Sequence, residues 1–301
     1  MKVRTLEPIE LELAAGLLFQ VGERAATQHG YSPPWPDERA AHNALVRYRA
    51  SDTDAVIVAE EGGAVIGVGA ARLRGEVASI GPIATYMDGR GLGGAILDEL
   101  LNRVDSAGAQ ASRLGIPAWN TSAYALCAGR GFAVVDMASH VERQPEPPPA
   151  LDSARGLEVR PFERRDLDAL VRFDARLTGH ERGSDLAERV RLVARRRGEI
   201  VGYLGACDAE YATILGPAIA VDASDLVTLI ATALTAAHSE SEDWIAGGKP
   251  QRAVLSTAAL ATSMAAMGIG FRVKQLDVVM SRGAPRPARP PQLYSALPEI
   301  W

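Results

Sequence analysis

An internal repeat is the feature that most constrains how this chain of 301 residues can fold. Four matched pairs of segments occur in the same order in both halves: residues 2–6 and 158–162, 65–67 and 200–202, 80–82 and 215–217, and 131–132 and 270–271. The spacing between the second and third segments is also the same in both halves, since 80–82 follows 65–67 at the same distance as 215–217 follows 200–202. A shared order and a shared register predict two tandem domains of one architecture.

A proline-rich segment, Gln144-Pro145-Glu146-Pro147-Pro148-Pro149, separates the two halves. Proline fixes φ and removes a backbone donor, so this segment cannot join a helix or a central strand. We therefore expect an extended linker over residues 144–156. The domains are then residues 1–143 and 157–283, followed by a C-terminal tail over 284–301.

The hydrophobic pattern of the first half predicts both strands and helices. The predicted strands are 2–5, 55–60, 64–73, 76–83, 111–116 and 132–141, and the predicted helices are 9–28, 37–49, 91–107 and 121–129. The long helix has an apolar inner face made of Leu92, Ile96, Leu97, Leu100, Leu101 and Val104. This order predicts an α+β fold in which each half is a mixed, mostly antiparallel sheet flanked by helices.

Composition excludes several classes of protein. The net charge is −5 and no basic stripe is present, which argues against a nucleic-acid partner. No apolar stretch approaches the ~20 residues that a membrane span needs. Two cysteines, Cys127 and Cys207, rule out a disulfide scaffold, and no apolar leader opens the sequence, so we expect a cytoplasmic protein. No cluster of His and Cys has the spacing of a metal site.

A glycine-rich loop, Asp88-Gly89-Arg90-Gly91-Leu92-Gly93-Gly94-Ala95, lies between a predicted strand and the long helix. Glycines allow an anion close to the backbone, and the free N–H groups of a helix start attract phosphate. A plain turn is the alternative interpretation. The loop also fits the dinucleotide pattern G-x-G-x-x-G, but that site follows a first strand and needs an acidic residue ~20 positions on. About four strands precede this loop and residues 114–119 carry no acid, so we set the nicotinamide interpretation aside.

The order of elements resembles that of the GNAT acetyltransferase superfamily. Gly91 and Gly93 match the glycines of its phosphate motif, and residues 124–132 match its short helix ending in Gly-Phe. The resemblance covers residues 2–141 and continues more weakly over 157–281. The chain is similar to a subgroup of tandem proteins with a degenerate second GNAT domain, in which a stretch like 178–182 recurs.

Membership would imply acetyl-CoA or another acyl-CoA as co-substrate. The pyrophosphate would lie on the N–H groups of Arg90, Gly91, Leu92, Gly93 and Gly94. The pantetheine arm would pair with the backbone of Ile83 and Ala84 as an added strand. The acyl group would pass directly to an amine of a small molecule, which needs a deprotonated amine and a stabilised thiolate.

Several positions depart from the family pattern. Asp88 stands where the family has Arg or Gln, and we favour a role in capping the following helix. Arg90 either supplies the missing cation or is solvent-exposed. Cys127 occupies the position of a family tyrosine that protonates the departing thiolate, although a buried Cys that acts as a small apolar residue is the favoured interpretation. Tyr124, one helical turn earlier, is the alternative proton donor. The other interpretation is that Tyr124 only packs on the core with its hydroxyl at the surface.

Glu76 is the candidate general base, because in several acetyltransferases a carboxylate on this strand deprotonates the amine. A Glu at a strand end is more often simply exposed. His29, Tyr31 and His42 flank a proline-rich loop where family substrates bind, although exposed loop positions remain the favoured interpretation for both histidines. In the second half, residues 218–225 contain two acids and no glycine, which indicates a lost phosphate site.

Three functions stay open on the sequence alone. The first is a small-molecule N-acyltransferase. The second is a non-catalytic GNAT-fold sensor or interaction protein, and the third is a biosynthetic tailoring enzyme that uses the fold for other chemistry. The apolar groups of residues 294–301 are compatible with docking on the protein itself or on a second copy in a homodimer.

Overall fold

A computed structural model describes most of the chain, and the described residues are 1–86, 90–149, 154–178, 183–209, 211–239, 248–283 and 292–294. Asp88 and Gly89 lie outside this part, as do residues 179–182 and most of the predicted tail. The chain divides into two compact units. Unit 1 comprises residues 1–133 and 280–284, and unit 2 comprises residues 134–279 and 285–301.

Unit 1 contains five strands and four α-helices among its described residues. They are β1 (Lys2–Thr5), α1 (Leu11–Gln28), α2 (Glu38–Ser51), β2 (Val56–Glu61), β3 (Ala64–Arg74), β4 (Val77–Thr85), α3 (Leu92–Ser106), β5 (Ala111–Pro117) and α4 (Thr121–Ala128). The strand order is β1-β2-β3-β4-β5. All neighbours are antiparallel except β4 and β5, which are parallel.

Helices cover both faces of this sheet because successive side chains of β3 point to opposite sides. Val68 and Ala70 pack into a core with residues of α1 and α2, including Leu18 and Leu45. On the other face, Gly67 and Gly69 lie against Ile96 of α3. The predicted inner face of α3 is confirmed, since its six apolar residues are all buried. The helix predicted from Asp37 is also confirmed, with the Asp37 carboxylate accepting from the Ala40 N–H at 2.7 Å.

Unit 2 repeats this order. Its elements are β6 (Ala133–Arg143), β7 (Glu158–Pro161), α5 (Leu167–Thr178), α6 (Gly183–Arg189), β8 (Val190–Arg196), β9 (Glu199–Asp208), β10 (Thr213–Ala220), α7 (Ala223–Ser239), β11 (Gln251–Ser256), α8 (Leu260–Gly268), β12 (Arg272–Gly283) and β13 (Gln292–Tyr294). The strand order is β12-β6-β11-β13-β10-β9-β8-β7. The sequence places the end of the first domain at residue 143, whereas the units divide at residue 133 because β6 pairs with β11.

Side-chain contacts repeat along with the elements. Arg4 donates to Glu10 through both terminal nitrogens at 2.7 Å, and Arg160 makes the same forked contact with Asp166 at 2.8 and 2.7 Å. Both pairs tie the first strand of a unit to the turn that precedes its first helix. The predicted duplication and the α+β class are therefore confirmed.

The described parts of the linker, residues 144–149 and 154–156, form neither helix nor strand. Within the described ranges, every helix falls short of the length and apolarity that crossing a membrane would require.

Candidate active site

The central feature of unit 1 is an opening between two parallel strands. β4 and β5 pair only from Val77 with Ala111 to Ser79 with Arg113, although β4 continues to Thr85 and β5 to Pro117. Beyond Ser79 the strands separate, so the edge of β4 that faces β5 lacks a strand partner among the described residues. Backbone N–H and C=O groups along such an edge are available to an extended ligand.

A bulge in β4 marks the point of separation. Gly69 pairs with Ile83 and Ala71 pairs with Ile80, so Gly81 and Pro82 form an insertion in β4. The fully buried Tyr48 donates its hydroxyl hydrogen bond to the Gly81 carbonyl. The predicted pantetheine-binding residues, Ile83 and Ala84, come directly after this bulge and therefore lie in the separated part of β4.

The first turn of α3 begins just beyond the end of β4. Gly91 caps the helix with φ 74°, a left-handed conformation that favours glycine. The turn has no side-chain cap and no acidic residue, and the first internal helical hydrogen bond comes from the Ala95 N–H to the Gly91 carbonyl at 3.0 Å. The N–H groups of Leu92, Gly93 and Gly94 thus lack helical partners, which makes this end suited to an anion.

Two guanidinium groups accompany this turn. Arg90 lies 3.2 Å from the Glu61 carboxylate and is half exposed. Arg130 forms a forked contact with Asp98, which raises the pKa of Arg130 and lowers that of Asp98, so both groups are charged. A Cβ atom at Gly94 would lie 2.6 Å from Nη2 of Arg130, so this guanidinium covers the first turn of α3. Arg130 could not be recognised as a candidate from the sequence, where its only signal is its place beside the Gly-Phe pair.

Tyr124 and Cys127 share one side of α4, at the i, i+3 spacing. Cys127 is 5% exposed, and burial raises the pKa of its thiol to about 11. Tyr124 is 42% exposed. On another side of α4, Leu126 packs against the start of α3, since Cβ atoms at Gly93 and Gly94 would lie 3.5 and 3.6 Å from its methyl groups. Tyr124 is therefore carried by the helix that packs beside the first turn of α3.

An aromatic cluster follows the end of β5. The imidazole of His29 stacks on the indole of Trp119 with 4.4 Å between ring centroids, and Tyr31 lies 6.1 Å from the same ring. His29 Nδ1 donates to the Ala25 carbonyl at 2.9 Å, since a carbonyl can only accept, and Nε2 is therefore the acceptor nitrogen of the neutral ring. Sequence reasoning placed His29 and Tyr31 near an acceptor loop but missed Trp119, because stacking joins residues ~90 positions apart.

The end of α1 reaches both sides of the opening. Arg24 lies 3.5 Å from the Tyr86 carbonyl, directly after β4, and His29 contacts Trp119, shortly after β5. Five residues of helix span ~8 Å. The last turn of α1 therefore extends across the wide end of the gap between β4 and β5.

The other predicted residues lie elsewhere. Glu76 is exposed in the turn between β3 and β4, and its carbonyl accepts from the Gln110 N–H at 2.8 Å. At ~3.3 Å per residue, that turn is roughly 25 Å along β4 from Ala84. The structure therefore does not bring Glu76 together with the separated strand ends. His42 lies half-buried within α2. Within the described residues, no group of three or more His, Cys, Asp or Glu side chains is arranged to hold a metal ion.

The corresponding helix start in unit 2 is built differently. Asp225, in the first turn of α7, is fully buried, and Arg196 donates to its two carboxylate oxygens at 3.1 and 2.7 Å. The Asp225 N–H bonds to the Asp222 carbonyl at 3.2 Å. An ion pair thus lies where the first turn of α3 presents free N–H groups.

Comparisons with known proteins agree with this geometry. Residues 24–132 match the model of the Acetyltransferase (GNAT) family. A putative acetyltransferase from Pyrococcus horikoshii is 13% identical, with a TM-score of 0.74 over 100% of this chain and 95% of its own. A GCN5-related N-acetyltransferase from Sphaerobacter thermophilus is 15% identical, with a TM-score of 0.70 over 94% and 95%.

A tandem GNAT protein from the clavulanic acid biosynthesis pathway is 14% identical, with a TM-score of 0.61 over 95% of this chain and 99% of its own. No curated protein sequence matches this chain. At these identities the solved structures establish a common fold. The chain therefore has the fold of tandem GNAT proteins, and its residues 24–132 match the GNAT acetyltransferase family.

Proposed function

We propose that unit 1 is an N-acyltransferase that moves an acetyl or other acyl group from coenzyme A to an amine of a small molecule. One observation carries the proposal: β4 and β5 separate beyond Ser79, and the uncapped first turn of α3 begins at the same end of β4. The gap provides unpaired backbone for an extended arm, and the helix start provides N–H groups for a phosphate.

The coenzyme-binding residues are then Ile83 and Ala84 for the arm and residues 90–94 for the pyrophosphate. Both nearby guanidiniums are already engaged, Arg90 with Glu61 and Arg130 with Asp98. The backbone N–H groups and the positive end of the helix dipole are therefore the main source of affinity. A thioester bound there supplies an activated acyl carbon.

The departing thiolate takes its proton from Tyr124, and the proton that the attacking amine loses restores the tyrosine hydroxyl. A thiol with a pKa of about 11 and 5% exposure stays protonated and inaccessible, so Cys127 serves as a small apolar residue. Tyr124 is exposed on the same side of the same helix and carries an ionisable hydroxyl. General-acid catalysis of this kind typically contributes about 10²-fold or more.

The acceptor amine enters beside the aromatic cluster. His29, Tyr31 and Trp119 present stacked rings at the wide end of the gap, and His29 Nε2 adds one hydrogen-bond acceptor for an N–H group. Flat apolar surface with a single polar atom is typical of small-molecule sites. We therefore assign this cluster to the acceptor side and leave Glu76 outside the site.

Calorimetric titration with acetyl-CoA tests the proposal through a matched pair of variants at Gly93. Gly93→Ala adds a methyl group at an ordinary 3.5 Å contact with Leu126 and should bind as the parent protein does. Gly93→Asp adds a carboxylate that favours the helix start but repels phosphate, so affinity should fall at least about tenfold.

Equal affinity for acetyl-CoA in both variants would show that the phosphate does not bind at the start of α3. Release of free thiol from acetyl-CoA in the presence of a panel of amines then separates an enzyme from a binding protein. Tight binding without release from any amine would favour the non-catalytic GNAT-fold protein.

A further inference from the structure

Unit 2 contains a second opening with the geometry of the first. β10 and β11 are parallel and pair only at Thr213 with Gln251 and Ile214 with Arg252. Both strands continue beyond these pairs, β10 through a bulge at Gly216 and Pro217 like the one in β4. Each unit therefore contains a pair of parallel strands that separate beyond a few paired residues.

A third strand fills the opening of unit 2. β13 pairs antiparallel with β10, Leu293 facing Ala218 and Gln292 facing Ile219. On its other edge, Tyr294 faces Val254 and Leu293 faces Leu255 of β11. A short segment near the C-terminus is thus hydrogen-bonded between two strands that otherwise diverge.

The backbone positions that receive β13 correspond to the coenzyme positions of unit 1. Ala218 and Ile219 follow Gly216-Pro217 directly, as Ile83 and Ala84 follow Gly81-Pro82. In β4, four of the five residues from 81 to 85 are half-buried, whereas every residue of β10 is buried. The edge that is accessible in unit 1 is covered in unit 2.

The helix end of the same opening is also unsuited to phosphate. Asp225 is buried in the first turn of α7 and paired with Arg196, whereas the first turn of α3 has no acidic residue. A second anion there would meet the Asp225 carboxylate at close range. Strand pairing needs only backbone groups, so the ion pair does not oppose it.

We propose that the opening of unit 2 is a peptide-binding site that accepts an extended strand by β-augmentation, and that its ligand is the chain's own segment Gln292–Tyr294. The site recognises backbone between two strands of the sheet, and it binds peptide at the positions that correspond to the proposed coenzyme site of unit 1. This inference goes beyond the proposed function, because it stands on the pairing of β13 whether or not unit 1 transfers acyl groups.

Amide hydrogen exchange of the full chain, without acetyl-CoA, tests the site. Peptides that contain residues 292–294 should exchange at least roughly tenfold more slowly than an unstructured reference. Leu293→Pro removes an N–H from one of the two ladders, so protection should be lost there and reduced at 218–219 and 254–255. Ala288→Pro adds a proline to a segment that already has several and should leave protection unchanged.

A labelled synthetic peptide of residues 290–301 provides a second readout. The Leu293→Pro protein should bind it saturably, and the parent protein should bind it at least about tenfold more weakly because its own strand competes. Unprotected amides at 292–294 in the parent protein would overturn the proposal, and that measurement does not require the variant to fold. Saturable binding of acetyl-CoA to two sites in the Leu293→Pro protein would also overturn it, by showing a coenzyme site beneath the strand.

Discussion

At the scale of single residues, the environment of each side chain decides between roles that the sequence leaves open. Tyr124 and Cys127 occupy neighbouring positions on one side of α4, and family resemblance alone favours the position of Cys127. Burial reverses that order, because it raises the pKa of the Cys127 thiol to about 11 and closes the residue to a ligand. A group that gives a proton to a bound thiolate has to touch it, and of the two residues Tyr124 is the exposed one.

Paired substitutions on α4 test this assignment. Tyr124→Phe removes only the hydroxyl, so kcat should fall about a hundredfold or more with little change in KM for acetyl-CoA. Cys127→Ala should keep kcat within about threefold, while a small cavity lowers the free energy of unfolding by about 1 kcal/mol. Steady-state kinetics with an amine that supports thiol release measures both. A large loss of kcat in folded Cys127→Ala with normal Tyr124→Phe kinetics would return the role to the cysteine.

At the scale of elements, the packing of α3 on β3 positions the first turn of α3, where we place the phosphate. Gly67 and Gly69 have no side chains, so Ile96 and Leu100 of α3 approach the strand closely. The order of elements and the buried face of α3 could be predicted from the sequence, because hydrophobic period reports burial directly. The partners of these elements could not be predicted, since the hydrophobic period does not say which element covers a buried face. The pairing of β6 with β11, the stacking of His29 on Trp119 and the insertion of β13 all join residues far apart in the chain.

The close approach of α3 to β3 predicts that one added methyl group lowers the free energy of unfolding. A Cβ atom at Gly69 would lie 2.3 Å from Cγ2 of Ile96 and 3.2 Å from Cδ1 of Leu100, both buried. Gly69→Ala should therefore lower the free energy of unfolding by about 1–3 kcal/mol and weaken acetyl-CoA binding as α3 shifts. Urea denaturation measures the first effect and calorimetry the second. Gly93→Ala is the same substitution at an open site and should be neutral or stabilising by up to about 1 kcal/mol; equal losses in the two variants would contradict the packing argument.

At the scale of the whole molecule, one architecture occurs twice and has diverged where a ligand would bind. Both units keep the bulge at the Gly-Pro pair and the forked Arg contact of an edge strand, β1 or β7. They differ at the separated strands and at the helix start, which are the two features that the proposed coenzyme site requires. The duplication therefore conserves the scaffold in both halves, and we place the chemistry in unit 1.

The ion pair at the start of α7 predicts a structural role in unit 2 without a role in coenzyme binding. Asp225 is 0% exposed and Arg196 is 32% exposed. Asp225→Asn replaces the buried carboxylate and leaves the partly buried guanidinium without this charged partner, so the free energy of unfolding should fall by about 2 kcal/mol. Asp222 also approaches Arg196, at 3.5 Å, but it is 60% exposed, so Asp222→Asn should change stability by less than about 1 kcal/mol. Urea denaturation of both variants measures the difference. Acetyl-CoA affinity should stay at the parent value in each, because the proposed site lies in unit 1. A loss of acetyl-CoA binding in folded Asp225→Asn would instead place a coenzyme site at α7.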